Sequence, residues 1–161
     1  MVDAVNRDRD AAGRPRSARP RDALGRPLER SGGDAAVPVD PPAGPPRQTL
    51  ADAQRLLDAG RPFAAHEVLE AQWKATTGAE RDLWRGLAQL AVALTHHARG
   101  NARGAAALFE RAADTLAPLA GTTPYDVPVD QLRRWAQAGA DGSTGGLPPP
   151  RLHAQAADDR A

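Results

Sequence analysis

The sequence predicts an all-α fold: a small antiparallel helical bundle of about four to five helices with disordered tails. Between residues 48 and 140, apolar side chains recur at the three- and four-residue spacing of amphipathic helices. No segment alternates apolar and polar side chains over the length that a strand needs. Glycine or proline stands near the ends of the candidate helices. A helical bundle domain is therefore predicted over 48–140, between tails at 1–47 and 141–161.

The two tails differ from the domain in composition. Residues 1–47 are rich in Arg, Pro, Gly and Asp without any periodicity, and residues 141–161 are again polar and rich in Gly and Pro. Both tails are therefore predicted to be disordered. The first contains a repeat of the form RDAxGRPx, at Arg9–Arg16 and again at Arg21–Leu28. This repeat is either a linear motif that is presented twice to a partner or a low-complexity duplication.

The first two helices follow from their end signals. Leu50 to Ala59 carries an apolar face, with Thr49 as the expected N-cap, Asp52 at the third helical position and Gly60 as the stop. The second helix is predicted from Pro62 to about Ala75, because the fixed φ and missing N–H of proline suit the first helical position.

Three further helices complete the predicted bundle. The third runs from about Ala79 to Arg99 and ends at a glycine. Asn101 is the expected cap of the fourth, which reaches about Leu116 before a proline. A short fifth helix is predicted from Asp130, with Leu132 and Trp135 facing the core. Short connections between the first four helices favour antiparallel neighbours.

Composition narrows the functional classes. The chain has no cysteine, which excludes disulfides, thiolate catalysis and Cys-ligated zinc. The net charge is +1, and residues 1–46 contain eight Arg against seven acidic residues, so nucleic-acid binding is not expected. The longest apolar run, Leu87–Leu94, is too short for a membrane span. No signal peptide is apparent, and a cytoplasmic location is expected.

The second predicted helix contains most of the chemically active side chains. Its sequence is PFAAHEVLEAQWK. At about 100° per residue, His66 and Glu70 lie one turn apart on the same edge, with Trp73 beside them. Glu67 is expected to point outward near Lys74. A carboxylate beside a histidine can orient its ring and select its tautomer, and the pair can also chelate a metal ion.

A metal site here needs ligands from outside this helix. The HExxH motif of zinc peptidases has a second imidazole at the position that Glu70 occupies here, so this chain lacks that motif. His97 and Gln89 on the third helix are the candidates to complete a shell with His66, whereas His96 is expected to point outward. The alternative interpretation is structural: His66 and Glu70 bond to one another and Trp73 fills the core.

Three ordered motifs give the chain a family resemblance. LLDAGRPFAAHEVLEAQW, ERDLWRGLAQLAVAL and RGNARGAAALFERA resemble the family of the domain of unknown function 309, over roughly Leu50 to Trp135. The family is all-helical, with an HExxExxW signature, and has no assigned activity. The resemblance therefore implies a fold and the location of a site, at the following residues: His66, Glu67, Glu70 and Trp73; Gly86 and Gln89; Gly100, Asn101, Gly104 and Ala105.

Three functional hypotheses follow. The first is a binding or scaffold module for a protein partner, with a polar pocket formed by His66, Glu67, Glu70, Trp73, Gln89 and His97. The second is a metal-dependent hydrolase-like enzyme in which His66 and Glu70 hold a divalent ion, His97 or Gln89 completes the shell, and Glu67 is the base. The third is a structural His–Glu pair, with the function in the tail. The sequence assigns no catalytic residue, partner identity or oligomeric state.

Overall fold

The computed structural model describes residues 43–142 and 149–153. These residues contain five α-helices and no strand: α1 Pro46–Asp58, α2 Pro62–Ala75, α3 Arg81–Ala98, α4 Ala102–Leu116 and α5 Val129–Ala140. The all-α prediction is confirmed. None of the described helices is both long and apolar enough to cross a lipid bilayer. The repeat at 9–16 and 21–28 lies outside the described residues.

Each helix packs against the next one along the chain, α1 on α2, α2 on α3, α3 on α4 and α4 on α5. The shared core consists mainly of leucine, alanine and two large aromatic side chains, since the chain contains few aromatics. The largest fully buried side chains of the helices are those of Trp84, Phe109, Leu50, Leu69, Leu83, Leu87, Leu90 and Leu116. The edges of α2 and α3 that carry the candidate site residues border this core.

The start of α1 differs from the prediction. The helix begins at Pro46, so Thr49 lies inside it and is not an N-cap. Thr49 is instead 3% exposed, and its hydroxyl donates a hydrogen bond of 2.9 Å to the Gln72 side-chain oxygen on α2. Proline at the first helical position needs no capped N–H, which explains the earlier start. A polar residue that was expected to cap one helix therefore joins two of them.

The N-cap of α4 is confirmed. Asn101 Oδ1 accepts a hydrogen bond of 3.0 Å from the Gly104 backbone N–H. The Asn101 amide nitrogen also lies 2.9 Å from His96 Nδ1 on α3. A Cβ on Gly104 would lie 2.5 Å from that amide nitrogen. The glycine therefore makes room for the capping side chain and for His96 of α3, whose Nδ1 would lie 3.0 Å from that Cβ.

Loss of this cap has a measurable cost. Asn101→Ala is expected to lower the free energy of unfolding by about 1 kcal/mol, because the Gly104 N–H in the first turn of α4 loses its side-chain acceptor. Asn101→Ser keeps a capping oxygen and should retain most of that stability. Urea denaturation followed by circular dichroism measures both variants. Equal losses for alanine and serine would show that the contact with His96, and not the cap, stabilises this turn.

A turn with unusual backbone geometry precedes α5. Tyr125 and Asp126 have φ values of 53° and 62°, in the left-handed region that non-glycine residues rarely occupy. The Tyr125 hydroxyl donates a 2.6 Å hydrogen bond to Glu80, and Asp126 pairs with Arg47 at 2.5 Å. The hydrogen bond to the Glu80 carboxylate, together with burial, raises the pKa of Tyr125 above its usual value. Contacts with two other parts of the bundle therefore stabilise this turn.

The start of α5 and the C-terminal residues also differ from the predictions. The helix begins at Val129, and Asp130 is not its cap, since its carboxylate accepts hydrogen bonds of 3.2 Å from the Gly121 N–H. Disorder was predicted over 141–161, yet residues 149–153 lie against α1 and Leu152 is 0% exposed. The Gln54 side chain bonds to the backbone of this segment, a long-range contact that composition does not reveal.

Candidate functional site

The helix α2 positions the candidate site through its own amphipathic pattern. Its buried side is formed by Ala64, Ala65, Leu69 and Gln72. The helix ends at Ala75, and the hydroxyl of the next residue, Thr76, donates a 2.7 Å hydrogen bond to the Gln72 carbonyl. Between the buried and exposed sides runs an edge of half-buried residues at positions 66, 67, 70 and 73. This edge carries the side chains that the sequence singles out.

His66, Glu67 and Glu70 form a compact cluster on this edge, which we call the α2 triad. His66 Nδ1 lies 3.6 Å from Glu67 Oε1, and His66 Nε2 lies 3.8 Å from Glu70 Oε2. One ligand-type atom from each residue lies within 4.8 Å of the others. Both N–O separations exceed hydrogen-bond length, so the histidine does not bond directly to either carboxylate. The expected direct His66–Glu70 bond is therefore absent.

The Glu67 side chain takes a direction that the sequence did not predict. It was expected to point outward beside Lys74, yet it is only 16% exposed and turns toward His66. Lys74, which is 61% exposed, instead lies 3.4 Å from Glu70. Consecutive residues start about 100° apart on a helix, but a glutamate has three rotatable bonds and can turn back toward its neighbour. The triad therefore has a carboxylate near each ring nitrogen.

Three of the candidate residues contain buried polar atoms without a hydrogen-bond partner among the described residues. These atoms are His66 Nδ1, Gln89 Oε1 and Trp73 Nε1. The same is true of Nε1 in all three tryptophans, so the unpartnered Trp73 N–H does not distinguish the site. Because nearly all buried polar atoms in proteins are paired, the unpaired histidine nitrogen and glutamine oxygen are unusual. Both atoms are of types that bind metal ions or water.

Trp73 packs against the core at the C-terminal end of the same edge. The Arg81 guanidinium lies 5.0 Å from the centre of its ring, and Arg81 also donates to the Thr76 carbonyl at 3.2 Å. Phe63 lies on the other side of the triad, with its ring centre 5.7 Å from that of His66. Neither Arg81 nor Phe63 was predicted from the sequence to lie at the site, although the three-residue spacing from Phe63 to His66 places these two side chains on the same face of a helix.

The third helix contributes less than predicted. Gln89 is half-buried on α3, the helix that packs against α2. His97 was expected to face α2, but it is exposed near the end of α3 and does not belong to the ligand cluster found in the described residues. The helix ends at Ala98, and His97 lies beyond Thr95, the last buried residue of α3. The structure therefore places the predicted ligand His97 outside the α2 triad.

Two surface clefts lie elsewhere on the bundle. One, of about 110 Å³, is lined by Arg47, Leu50, Ala51, Tyr125, Asp126 and His153. The other, of about 570 Å³, lies between α4 and α5 and is lined by Glu110, Ala113, Asp114, Gln137, Ala140 and Asp141. Neither cleft is lined by a residue of the α2 triad. The triad is therefore a half-buried edge beside the core, and these clefts do not extend to it.

Comparison with known proteins supports the resemblance seen in the sequence. Residues 50–108 match the family model described as Domain of unknown function (DUF309). No curated protein and no solved structure matches the chain. The matched residues run from α1 into α4 and include the α2 triad, Gln89 and the Asn101 cap. Residues 50–108 therefore match the model of the same family that the sequence motifs resemble.

Proposed function

We propose that the domain is a binding module that holds a divalent metal ion at the α2 triad. The observation that carries this proposal is the convergence of one imidazole and two carboxylates within 4.8 Å on a half-buried edge. The unpaired His66 Nδ1 supports it, since a buried ring nitrogen without a partner is ready to bind an ion or to be oriented by a carboxylate. The hypothesis of a purely structural pair is less favoured, because no direct bond joins His66 to Glu70.

The chemistry of the triad suits particular ions. Imidazole is a good ligand for zinc and iron, and carboxylates suit manganese and other hard cations, so the mixed set favours zinc, iron or manganese. Atoms that bind the same zinc ion generally lie about 3–3.5 Å apart, since each bond is roughly 2.0–2.2 Å. The separation of 3.8 Å between His66 Nε2 and Glu70 Oε2 needs only a small side-chain rotation to reach this range.

The two carboxylates have different roles in this proposal. A histidine ring binds one ion through one nitrogen, and its other nitrogen is usually oriented by a carboxylate or carbonyl. Glu70 and His66 Nε2 are one turn apart and form the ligand pair, while Glu67 orients the ring from the Nδ1 side. Lys74 pairs with Glu70 when no ion is bound. This ion pair contributes little to stability, because Lys74 is largely exposed.

One helix supplies too few groups to complete a coordination shell. Two or three ligands leave at least one position for water, for the Gln89 oxygen or for a group on a partner. An open position at the surface of a helical bundle suits recognition of a partner's carboxylate or imidazole. We therefore propose binding as the function.

Metal binding is directly measurable. Full-length protein purified without a histidine tag and dialysed against EDTA is expected to bind about one equivalent of zinc or manganese in isothermal titration calorimetry. His66→Ala and Glu70→Gln should weaken binding by more than the roughly 10- to 100-fold that the loss of an outer partner costs. Glu67→Ala, which removes only the orienting group, is expected to weaken binding within that roughly 10- to 100-fold range.

Matched control variants distinguish the triad from adventitious ligands. His97→Ala removes an exposed imidazole and Glu110→Gln an exposed carboxylate, and both should leave the affinity unchanged. Thermal unfolding of every variant without metal checks that the fold survives. Binding well below one equivalent in the unaltered protein, or an equal loss in His97→Ala and His66→Ala, would overturn the proposal.

A further inference from the structure

We propose that the face of α1 that holds residues 149–153 is a peptide-binding groove, and that these residues are its intramolecular occupant. The partner that fits the groove is an extended, proline-rich peptide with an arginine followed by a leucine. Such a peptide would displace the chain's own segment. The proposal does not depend on metal binding, because no residue of the α2 triad takes part in it.

Gln54 recognises the backbone of the segment. Its amide nitrogen donates a 3.2 Å hydrogen bond to the Pro150 carbonyl, and its oxygen accepts one of 2.8 Å from the Leu152 N–H. The amide nitrogen also donates a 3.0 Å bond to Asp58, which selects the orientation of the amide group. A side-chain amide that pairs with one carbonyl and one N–H of a peptide recognises main-chain groups. This contact is therefore compatible with many peptide sequences.

Leu152 is the apolar side chain of the segment that the groove binds. The side chain is 0% exposed and belongs to the same core cluster as Leu50, Ala53 and Leu57 of α1. It lies 98 positions from Gln54 along the chain, so its burial is a long-range contact. A buried apolar anchor next to a hydrogen-bonded stretch of backbone is an arrangement by which domains bind short linear peptides.

The residues around the anchor indicate the charge and stiffness of a suitable partner. Arg151 lies 3.9 Å from the Asp58 carboxylate, and both side chains are about half exposed, so this pair favours a basic residue without contributing much affinity. Pro149 and Pro150 restrict the chain before the anchor, which lowers the entropy lost on binding. A partner peptide with proline, arginine and leucine in this order can form the two hydrogen bonds with Gln54, the ion pair with Asp58 and the buried leucine contact.

The segment is short and lies outside the helices, which makes exchange feasible. Its described connections include the buried Pro150 and Leu152, two backbone hydrogen bonds to Gln54 and one exposed ion pair. Short segments outside regular secondary structure open at a lower free energy than the helical core does. A peptide added in solution competes with a segment whose effective concentration is about millimolar, so the free groove should bind it more tightly than the occupied one.

Binding of a labelled peptide tests the proposal. The probe is the nine-residue peptide LPPPRLHAQ, which has the sequence of residues 147–155. In fluorescence anisotropy, the full-length Leu152→Ala variant, whose groove lacks its anchor, should bind it at least about tenfold more tightly than the unaltered chain. Adding Gln54→Ala to Leu152→Ala should weaken binding about tenfold, whereas adding Gln48→Ala, an exposed glutamine on the same helix, should not.

A second measurement covers the case in which Leu152→Ala fails to fold. In the unaltered chain, hydrogen exchange should show a protected Leu152 amide that loses protection when the peptide is added in excess. Unchanged protection, or equally tight binding of a peptide with alanine at the leucine position, would contradict the proposal. A concentration-dependent dimer that Leu152→Ala abolishes would show that the occupant is a second copy, which would also overturn the intramolecular arrangement.

Discussion

Replacement of Phe109 by alanine is expected to lower the free energy of unfolding by about 3–5 kcal/mol. The Phe109 ring is 0% exposed on α4, and it lies 5.2 Å from the Trp135 ring in an edge-to-face arrangement on α5. A Cβ on Gly139 would lie 2.7 Å from this ring, so the glycine allows α5 to approach it closely. Removal of the ring therefore leaves a cavity between two helices. Denaturation in urea, followed by circular dichroism, measures the loss.

The second phenylalanine of the chain is the matched control. Phe63 lies on α2 and is half-buried, so Phe63→Ala removes the same group from a site that water can enter. Its cost should be less than half that of Phe109→Ala, because both the transfer of the ring and the remaining cavity are smaller. Equal losses in the two variants would show that the α4–α5 contact is not the better-packed region.

The Gly86→Ala variant is expected to lose about 1–2 kcal/mol of stability, although alanine favours helix formation by roughly 1 kcal/mol over glycine. Gly86 is buried on α3, and an added Cβ would lie 2.6 Å from Leu116 Cγ and Cδ2 on α4. Such a contact must be relieved by movement of the leucine or of the two helices. The overpacking cost therefore exceeds the gain in helix propensity.

A double-mutant cycle identifies the source of the Gly86 effect. Leu116→Ala alone should cost about 2–5 kcal/mol, since this side chain is 0% exposed. With Leu116→Ala present, Gly86→Ala should no longer be destabilising, because the clashing atoms have been removed. Additive losses would show that the methyl group at position 86 is unfavourable for a reason other than contact with Leu116.

The helices were predictable because their signals are local. Pro62 at the start of α2 and Asn101 before α4 act within one turn of their own position, and the structure places both helix starts where the sequence predicts them. Thr49 shows the limit of such signals. The same side chain can cap a helix or join two helices, and its neighbour Gln72 is distant in sequence.

The candidate site was predictable in its location but not in its geometry. The spacing of His66, Glu70 and Trp73 places them on one edge of α2 in any helix with this sequence. The direction of Glu67 depends on rotatable bonds and on neighbouring side chains, so a helical wheel does not determine it. The exposure of His97 depends on how far along α3 the neighbouring helices cover it, which is a property of the packed bundle.

The all-helical class, the helix order and the match of residues 50–108 to the DUF309 model follow from features within single segments of the sequence. Contacts between distant segments depend on the folded bundle. The Gln54–Leu152 hydrogen bond joins residues 98 positions apart, and the Tyr125–Glu80 bond joins residues 45 apart. Periodicity and capping act over one or two turns, whereas these contacts require helices to be brought together by burial of their apolar faces. The helices were therefore predictable because their signals act over a few residues, whereas the contacts between distant segments were not, because they form only in the folded bundle.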